Sequence, residues 1–169
     1  MNQNRQVVSM LVDNHAGVLA RVSSLFARKG FNIDSLTVSA TNDEKVSRIT
    51  ITTTGDKGTV HQILSQTGKL IEVQCVEAMD GEESIQRELL LVKIAADEKM
   101  RNVITSVADI YKASIVDLSI DSMVVELTGK PSKIDAFLKV VNEYKVLEMC
   151  RTGVTTLARG SKILKKEKE

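Results

Sequence analysis

The sequence predicts an α+β fold built from two consecutive βαββαβ domains. Three observations lead to this prediction. Hydrophobic residues make up 43% and charged residues 27% of the 169 positions, a composition that can bury a core. Segments that alternate with period 2 and segments with apolar residues three or four apart follow one another in the order βαββαβ. That order then occurs a second time, so each half is expected to form a ferredoxin-like sandwich with two helices on one face of an antiparallel sheet.

The first strand and helix are the clearest elements of the first half. Residues 7–12 are apolar on both faces, which is typical of a central strand. The following helix carries one apolar stripe, and Gly30 is placed to end it in a left-handed conformation. The remaining elements of this half are predicted as strands at 33–40 and 46–53 joined by a turn at 41–44, a helix at 56–67 and a strand at 70–78.

An acidic stretch without periodicity, residues 80–86, is interpreted as a linker. It separates a first domain at 1–79 from a second at 87–160, and a charged tail follows at 161–169. In the second domain Asp97 is a candidate cap for the first helix, and Ser132 is a candidate cap for the second. The predicted strands of this domain lie at 87–95, 114–120, 123–128 and 146–150, the last extending toward residue 156.

Two features concern surfaces and thiols. In the first half, apolar residues fall on both faces of several strands, so the face without helices is expected to pack on the second half or on another chain. Cys75 and Cys150 lie in alternating apolar segments with no second ligand nearby, which favours buried free thiols over a disulfide.

Charge and hydropathy limit the classes of partner. The net charge of +1 gives no overall field to attract nucleic acid or an anionic membrane. The longest apolar runs are far shorter than the roughly 20 residues of a membrane-spanning helix. The N-terminal stretch has no apolar signal segment, so we expect a cytoplasmic protein.

Several site classes are disfavoured by the motifs. The third strand, residues 45–53, has no aromatic side chain on which RNA bases stack, and the first loop has no cysteine pair for copper. His15 and His61 have no nucleophile or carboxylate at a recognisable spacing, and His61 is expected on a helix surface. Residues 55–58 lack the phosphate-loop pattern and are predicted to begin a helix. A binding or regulatory protein is favoured over an enzyme.

The turn between the first strand and helix, within the sequence VDNHAGVLARV, is a candidate ligand site. A helix start has unpaired N–H groups and partial positive charge, so it attracts carboxylates. Gly17 lets a ligand approach the backbone, and Asn14 and Asn32 offer side-chain hydrogen bonds. A purely structural alternative stays open, in which Asn14 caps the helix, Gly17 is tolerated near its start and Asn32 fills a turn.

Residues 13–22 (DNHAGVLARV) and 25–38 (LFARKGFNIDSLTV) strongly resemble the N-terminal ACT domain of the regulatory small subunits of acetohydroxyacid synthase, also called acetolactate synthase. The likeness continues at residues 47–51, 86–94, 133–137 and 151–154, so it spans nearly the whole chain. The short N-x-x-G-x-L element occurs in many ACT domains. The segment NIDSLTV and the entry RELLLV to the second domain are the more specific signals.

The resemblance implies a subunit without catalysis of its own. Such a subunit binds the catalytic (large) subunit, raises its activity and confers feedback inhibition by valine or another branched-chain amino acid. Thiamine diphosphate and Mg are then expected on the catalytic partner and no cofactor in this chain, which also lacks a GDG…NN motif. In the family, two ACT domains pair side by side in a homodimer with the effector at their interface.

The resemblance also implies an effector site shared by two copies of the chain. The matching residues are Asn14, Gly17, Val18 and Leu19 of one copy and Asn32 and Ile33 of the other. His15 and Ala20 stand where relatives often have an acidic or polar residue and a serine, and the change at Ala20 predicts weaker effector sensitivity. An alternative function is a free-standing ACT-type amino-acid sensor with a different partner; a small enzyme with a dispersed site is a third.

Overall fold

The computed structural model describes residues 5–165 of the chain. It divides into two compact units. The first unit comprises the residues up to Ile85 together with those from Gly153 onward, and the second unit comprises Gln86–Thr152. No helix among the described residues is long and apolar enough to cross a membrane.

The first unit has the predicted βαββαβ order. Its elements are β1 (Arg5–Asp13), α1 (Val18–Lys29), β2 (Ser35–Ala40), β3 (Val46–Thr54), α2 (Lys57–Thr67) and β4 (Val73–Ala78). The four strands form an antiparallel sheet in the order β2-β3-β1-β4, so β1 is central as its apolar character predicts. The ferredoxin-like arrangement predicted for this half is confirmed.

Alternation along the strands places the core of the first unit between the sheet and its helices. On β1, Val8, Met10 and Val12 are buried against the apolar stripe of α1. The neighbouring strand β3 contributes Ile49 and Ile51 to the same cluster. Full burial of one such side chain contributes about 1.5 to 3 kcal/mol, so this cluster supplies much of the stability of the unit.

The opposite face of this sheet, on which the two helices of the unit do not pack, is called the open face below. It carries mostly hydroxyl groups. Ser9 and Thr50 lie opposite each other on β1 and β3, and their hydroxyl oxygens are 3.2 Å apart. Ser35 of β2 makes a similar hydroxyl contact with Thr52. These side chains are largely buried, so the open face is covered although it is less apolar than the sequence suggests.

The segment from Gly153 onward belongs to the first unit and lies on its open face. Val154 is fully buried in a cluster with Val7 and Met79. A short strand β9 (Thr155–Ala158) follows, and Gly153 lies so close to β2 that a Cβ there would be 2.5 Å from Thr37 Oγ1. The predicted second domain at 87–160 includes this segment, which in the structure contacts Val7 of β1, Met79 after β4 and Thr37 of β2.

The second unit repeats the order with β5 (Ser84–Ala95), α3 (Glu98–Tyr111), β6 (Ser114–Leu118), β7 (Ser122–Gly129), α4 (Pro131–Val141) and β8 (Val146–Arg151). Its sheet runs β6-β7-β5-β8. The strand β5 begins at Ser84, so the predicted linker at 80–86 is shorter in the structure. The core is formed by alternate residues of β5 and β7, including Leu90, Val92 and Val125, packed with α3 and α4.

Two expectations about the second unit are corrected, and the predicted tail is described only in part. Ser132 does not cap α4, which begins at Pro131 because proline has a helical φ and needs no N–H partner at the first position. Strand β8 ends at Arg151 and does not continue toward residue 156. Residues 166–169 of the predicted tail lie outside the described residues.

Cysteine burial is also corrected. Both thiols are free, but Cys75 is only half-buried and Cys150 is exposed. Cys150 lies on β8, an edge strand of its sheet, and alternation in sequence does not show which strand lies at an edge.

Among residues 5–165, no group of three His, Cys, Asp or Glu side chains is placed to hold a metal ion.

Candidate functional site

The turn from β1 into α1 forms an uncapped helix start. Gly17 occupies the N-cap position, and no side chain of the described residues bonds to the first helical N–H groups. The first turn of α1 also contains no acidic residue. The first helical N–H, that of Val18, makes only a long 3.5 Å bond to His15 O. The weakly bonded helix start and the positive end of the helix dipole are therefore available to a carboxylate from outside the chain.

Gly17 has a conformational role besides leaving space. Its φ of 91° lies in the left-handed region, where other L-residues are strained by about 1 to 2 kcal/mol. A Cβ built on Gly17 meets no atom within 4 Å, so the space before the helix start is open. The glycine is thus required by the backbone and also leaves the approach to the N–H groups unobstructed.

Asn14 does not cap α1, contrary to the structural alternative. Its backbone N–H donates to Lys45 O and its side-chain Nδ2 donates to Glu44 O, each at 2.7 Å. These bonds fix Asn14 to the turn between β2 and β3. The Oδ1 oxygen accepts no hydrogen bond from the described residues and is exposed, which suits a ligand donor such as an ammonium group.

The two apolar residues after Gly17 differ in exposure. Val18 is 3% exposed and packs in the core, and its backbone N–H makes a long bond, 3.5 Å, to His15 O. Leu19 is 41% exposed on the outer surface of the same turn. Of the two side chains, Leu19 alone can contact an apolar group of a ligand.

Asn32 and Ile33 lie in the loop between α1 and β2. Asn32 is exposed, and its Nδ2 donates to a carboxylate oxygen of Asp34. Asp34 is in turn held by its N–H bond to Thr52 O and by the hydroxyl of Thr54, both at 2.8 Å. Ile33 is partly buried against the core of the first unit. The loop is therefore anchored to the Thr54 end of β3.

Within one chain, the six predicted residues form two separate groups. Asn14 follows Asp13, which pairs with Val46 at the start of β3. Asn32 precedes Ser35, which pairs with Thr52 near the end of β3. Helix α1, about 18 Å long at 1.5 Å per residue, connects these two ends of the sheet. One chain thus brings Asn14, Gly17, Val18 and Leu19 together but not Asn32 and Ile33.

Two charged residues near this turn were missed by sequence reasoning. The Arg21 guanidinium on α1 binds the carboxylate of Glu72, whose side chain is only 7% exposed. The backbone of Glu72 also accepts a bond from Asp13 N–H at 2.9 Å. This pairing fixes α1 to the turn before β4 and neutralises an acidic group close to the helix start. The 51-residue separation left no local signal for it.

Arg48 is a third charged residue that sequence reasoning missed. It lies on β3, on the open face, where register places it beside Leu11 of β1 and Ser39 of β2. Burial lowers the pKa of Arg48, although nearby Cys75 and Glu77 act in the opposite direction. In the sequence, Arg48 is a charged residue in a strand whose other residues are apolar or carry hydroxyl groups. The same pattern is typical of an ordinary solvent-facing position, so it did not mark Arg48 as a site residue.

Comparison with known proteins covers both units. A family model described as "AHAS small subunit-like ACT domain" matches residues 8–75, and one described as "Small subunit of acetolactate synthase" matches residues 87–160. Together these matches account for most of the chain.

Full-length relatives and a solved structure agree. A probable acetolactate synthase small subunit of Archaeoglobus fulgidus is 42% identical over 94% of this chain and 99% of the relative. An acetolactate synthase small subunit of Mycolicibacterium smegmatis is 41% identical over 90% of each chain. The crystal structure of the acetolactate synthase small subunit from Thermotoga maritima aligns with a TM-score of 0.85 and 38% identity over 93% of this chain and 98% of that one. The chain belongs to the acetolactate synthase small-subunit family.

Proposed function

We propose that the chain is a regulatory subunit that binds the catalytic large subunit of acetolactate synthase, raises its activity and makes it sensitive to feedback inhibition by valine or another branched-chain amino acid. The observation that carries the proposal is the uncapped start of α1 at Gly17 in a chain of this family. The thiamine diphosphate and Mg of the reaction are expected on the catalytic subunit. We expect both proteins in the cytoplasm.

The proposed effector contacts use the chemistry of the two separated residue groups. The carboxylate of the amino acid accepts bonds at the positive end of α1 from the N–H group of Leu19 and from that of Val18, whose long bond to His15 O it replaces. Asn14 Oδ1 accepts from the ammonium group, and the side chain of Leu19 contacts the isopropyl group. Asn32 and Ile33 of a second copy complete the site from the opposite side.

A homodimer with two-fold symmetry would bring these groups together. Strand β2 is an edge of its sheet, and two β2 strands that pair antiparallel place the start of one beside the end of the other. The start of β2 follows Asn32, and its end at Ala40 lies at the same end of the sheet as Asn14. Leu36 and Val38 on β2 are exposed, at 36% and 42%, and offer apolar surface for this pairing.

Reconstitution tests the proposed partner. The purified chain is mixed with the acetolactate synthase large subunit of the same organism, and acetolactate formation is measured with and without valine. We expect co-elution, a higher rate and a rate that falls with valine, since allosteric coupling of about 1 to 3 kcal/mol changes affinity 5- to 150-fold. If valine binds the isolated chain but the catalytic subunit neither co-elutes nor responds, the chain is a sensor with another partner.

The effector site is tested by Gly17→Asp. The new carboxylate occupies the place proposed for the ligand carboxylate, so valine inhibition should be lost while activation is retained. Gly160→Asp is the matched control, because Gly160 also has a positive φ, 65°, and no atom within 4 Å of a built Cβ. We expect the control to keep its valine response at a similar loss of stability. Calorimetry that gives unchanged valine binding in Gly17→Asp would contradict the assignment.

A further inference from the structure

A cavity of about 490 Å³ lies in the first unit, between the open face of the sheet and the segment that follows β9. All its lining residues belong to the first unit. Leu11, Val46, Leu157 and Leu164 supply apolar wall, and Arg48 supplies a charged group. The volume is within the range of about 300 to 1,000 Å³ that is typical of small-molecule sites.

The Arg48 guanidinium lacks the partners that a buried charge requires. Its Nε and Nη2 atoms are buried, and neither has a hydrogen-bond partner among residues 5–165. Unpaired buried donors are costly, and guanidinium donors match a carboxylate in a bidentate arrangement. Arg48 also lines the cavity, so a rotation of its guanidinium would bring these donors to an anion bound there.

The nearby acidic side chains are already engaged elsewhere. Glu77, whose negative charge acts on Arg48, has its carboxylate 3.1 Å from Lys162 Nζ. Asp43 at the rim accepts the backbone N–H of Lys45 at 2.9 Å. The carboxylate of Asp13 accepts from Gln74 Nε2 at 2.8 Å. None of these bonds involves Arg48.

We infer that this cavity is a second ligand site, which binds a small organic carboxylate with an aliphatic body. The carboxylate pairs with the Arg48 guanidinium, and the aliphatic body packs against Leu11, Leu157 and Leu164. The site differs from the proposed effector site at Gly17, because it lies on the open face whereas α1 covers the opposite face. The two sites adjoin the same turn between β2 and β3. The cavity site requires neither a second copy nor a catalytic subunit.

The test uses the full chain alone and hexanoate as the probe in titration calorimetry. Hexanol supplies the aliphatic body without the charge, and inorganic phosphate supplies charge without the body. We expect saturable binding of hexanoate and weaker binding of both other probes. Phosphate binding as tight as hexanoate would overturn the assigned ligand class, and no hexanoate binding would overturn the site.

Variants locate the binding. Arg48→Met keeps the length of the side chain and removes the charge, so hexanoate binding should weaken about tenfold or more, the equivalent of one charge-assisted hydrogen bond. Arg28→Met is the control, because Arg28 is exposed on the last turn of α1. Gly17→Asp should leave hexanoate binding unchanged, and a loss there would assign the probe to the effector site instead.

A measurement on the native chain covers the case in which Arg48→Met does not fold. The side-chain Nε–H resonance of Arg48 is followed by nitrogen-15 NMR during the hexanoate titration. It should shift saturably, with the same dissociation constant as the calorimetry. A resonance that stays constant at saturating hexanoate would refute the pairing with Arg48.

Discussion

The first helices of the two units begin in opposite ways, although the units share one element order. In the second unit, the Asp97 carboxylate accepts the N–H of Met100 at 2.8 Å, and Glu98 adds a negative charge to the first turn of α3. In the first unit, the residues that the structure describes provide neither a capping side chain nor an acidic first turn for α1. The second unit satisfies its helix start internally, whereas the first leaves it available to a ligand.

Two half-buried arginines, one in each unit, also differ in their partners. Arg151 of the second unit donates to Glu88 and to Asp135, at 2.8 Å and 2.7 Å. Burial would lower the pKa of Arg151, but the bonds and charges of these carboxylates outweigh it and raise the pKa. Arg48 of the first unit has a lowered pKa and two donors without a partner in residues 5–165. Arg151 therefore has carboxylate partners within its own unit, whereas two donors of Arg48 have none among residues 5–165.

The largest expected effect follows from breaking the arginine pairing in the second unit. Glu88 is 2% exposed, so Glu88→Gln removes the buried carboxylate that pairs with the half-buried Arg151. Removing one partner of a buried pair costs about 3 to 5 kcal/mol, and we expect a loss at the lower end because Asp135 remains. Urea unfolding measures the change.

Asp135→Asn is the matched control for that measurement. The Asp135 side chain is 51% exposed, and an exposed pair contributes at most about 1 kcal/mol. Equal destabilisation by the two variants would remove the distinction between a buried structural pair in the second unit and the unpaired Arg48 of the first.

A smaller effect, on dimer stability, is expected from a substitution on the edge strand β2. The variant tests whether the dimer forms through the first unit. Val38→Lys places a charge on β2 where the proposed dimer buries an apolar side chain. We expect the dimer to weaken by about 2 to 3 kcal/mol, roughly 100-fold in its dissociation constant, together with a loss of valine inhibition. Sedimentation equilibrium measures the first and the reconstituted assay the second.

The corresponding edge strand of the second unit provides the control. Val116 lies on β6, which occupies the position in its sheet that β2 occupies in the first, and it is 51% exposed. Val116→Lys should leave the dimer unchanged. Dissociation by this variant and not by Val38→Lys would assign dimerisation to the second unit.

The fold was predictable because its local signals are strong. Periodicity predicts all six elements of each βαββαβ order, and Gly30 and Asp97 end and begin their helices as expected. The errors concern information that is not local. The sequence does not show that β8 is an edge strand with an exposed Cys150, nor that Val154 packs with Val7 and Met79.

The candidate site was only partly predictable, for a similar reason. A resemblance selects Asn14, Gly17 and Asn32, but the strand register is needed to see that Asn14 and Asn32 lie at opposite ends of the sheet. The φ of Gly17 and the unpaired donors of Arg48 also depend on tertiary structure. Whether the six residues form one site across two chains stays a prediction.

The smallest effect concerns the helix starts themselves. Asp97→Ala removes the hydrogen bond to Met100 N–H, and we expect a loss of about 1 kcal/mol in the free energy of unfolding. Asp109→Ala, an exposed change near the other end of α3, should alter stability by less than about 0.5 kcal/mol. Valine binding should be unaffected by either variant, because the proposed effector carboxylate binds at α1. An Asp97→Ala chain that gained a second equivalent of bound valine would show that an open helix start suffices for binding, and the residues around Gly17 would then not account for the selectivity of the first unit.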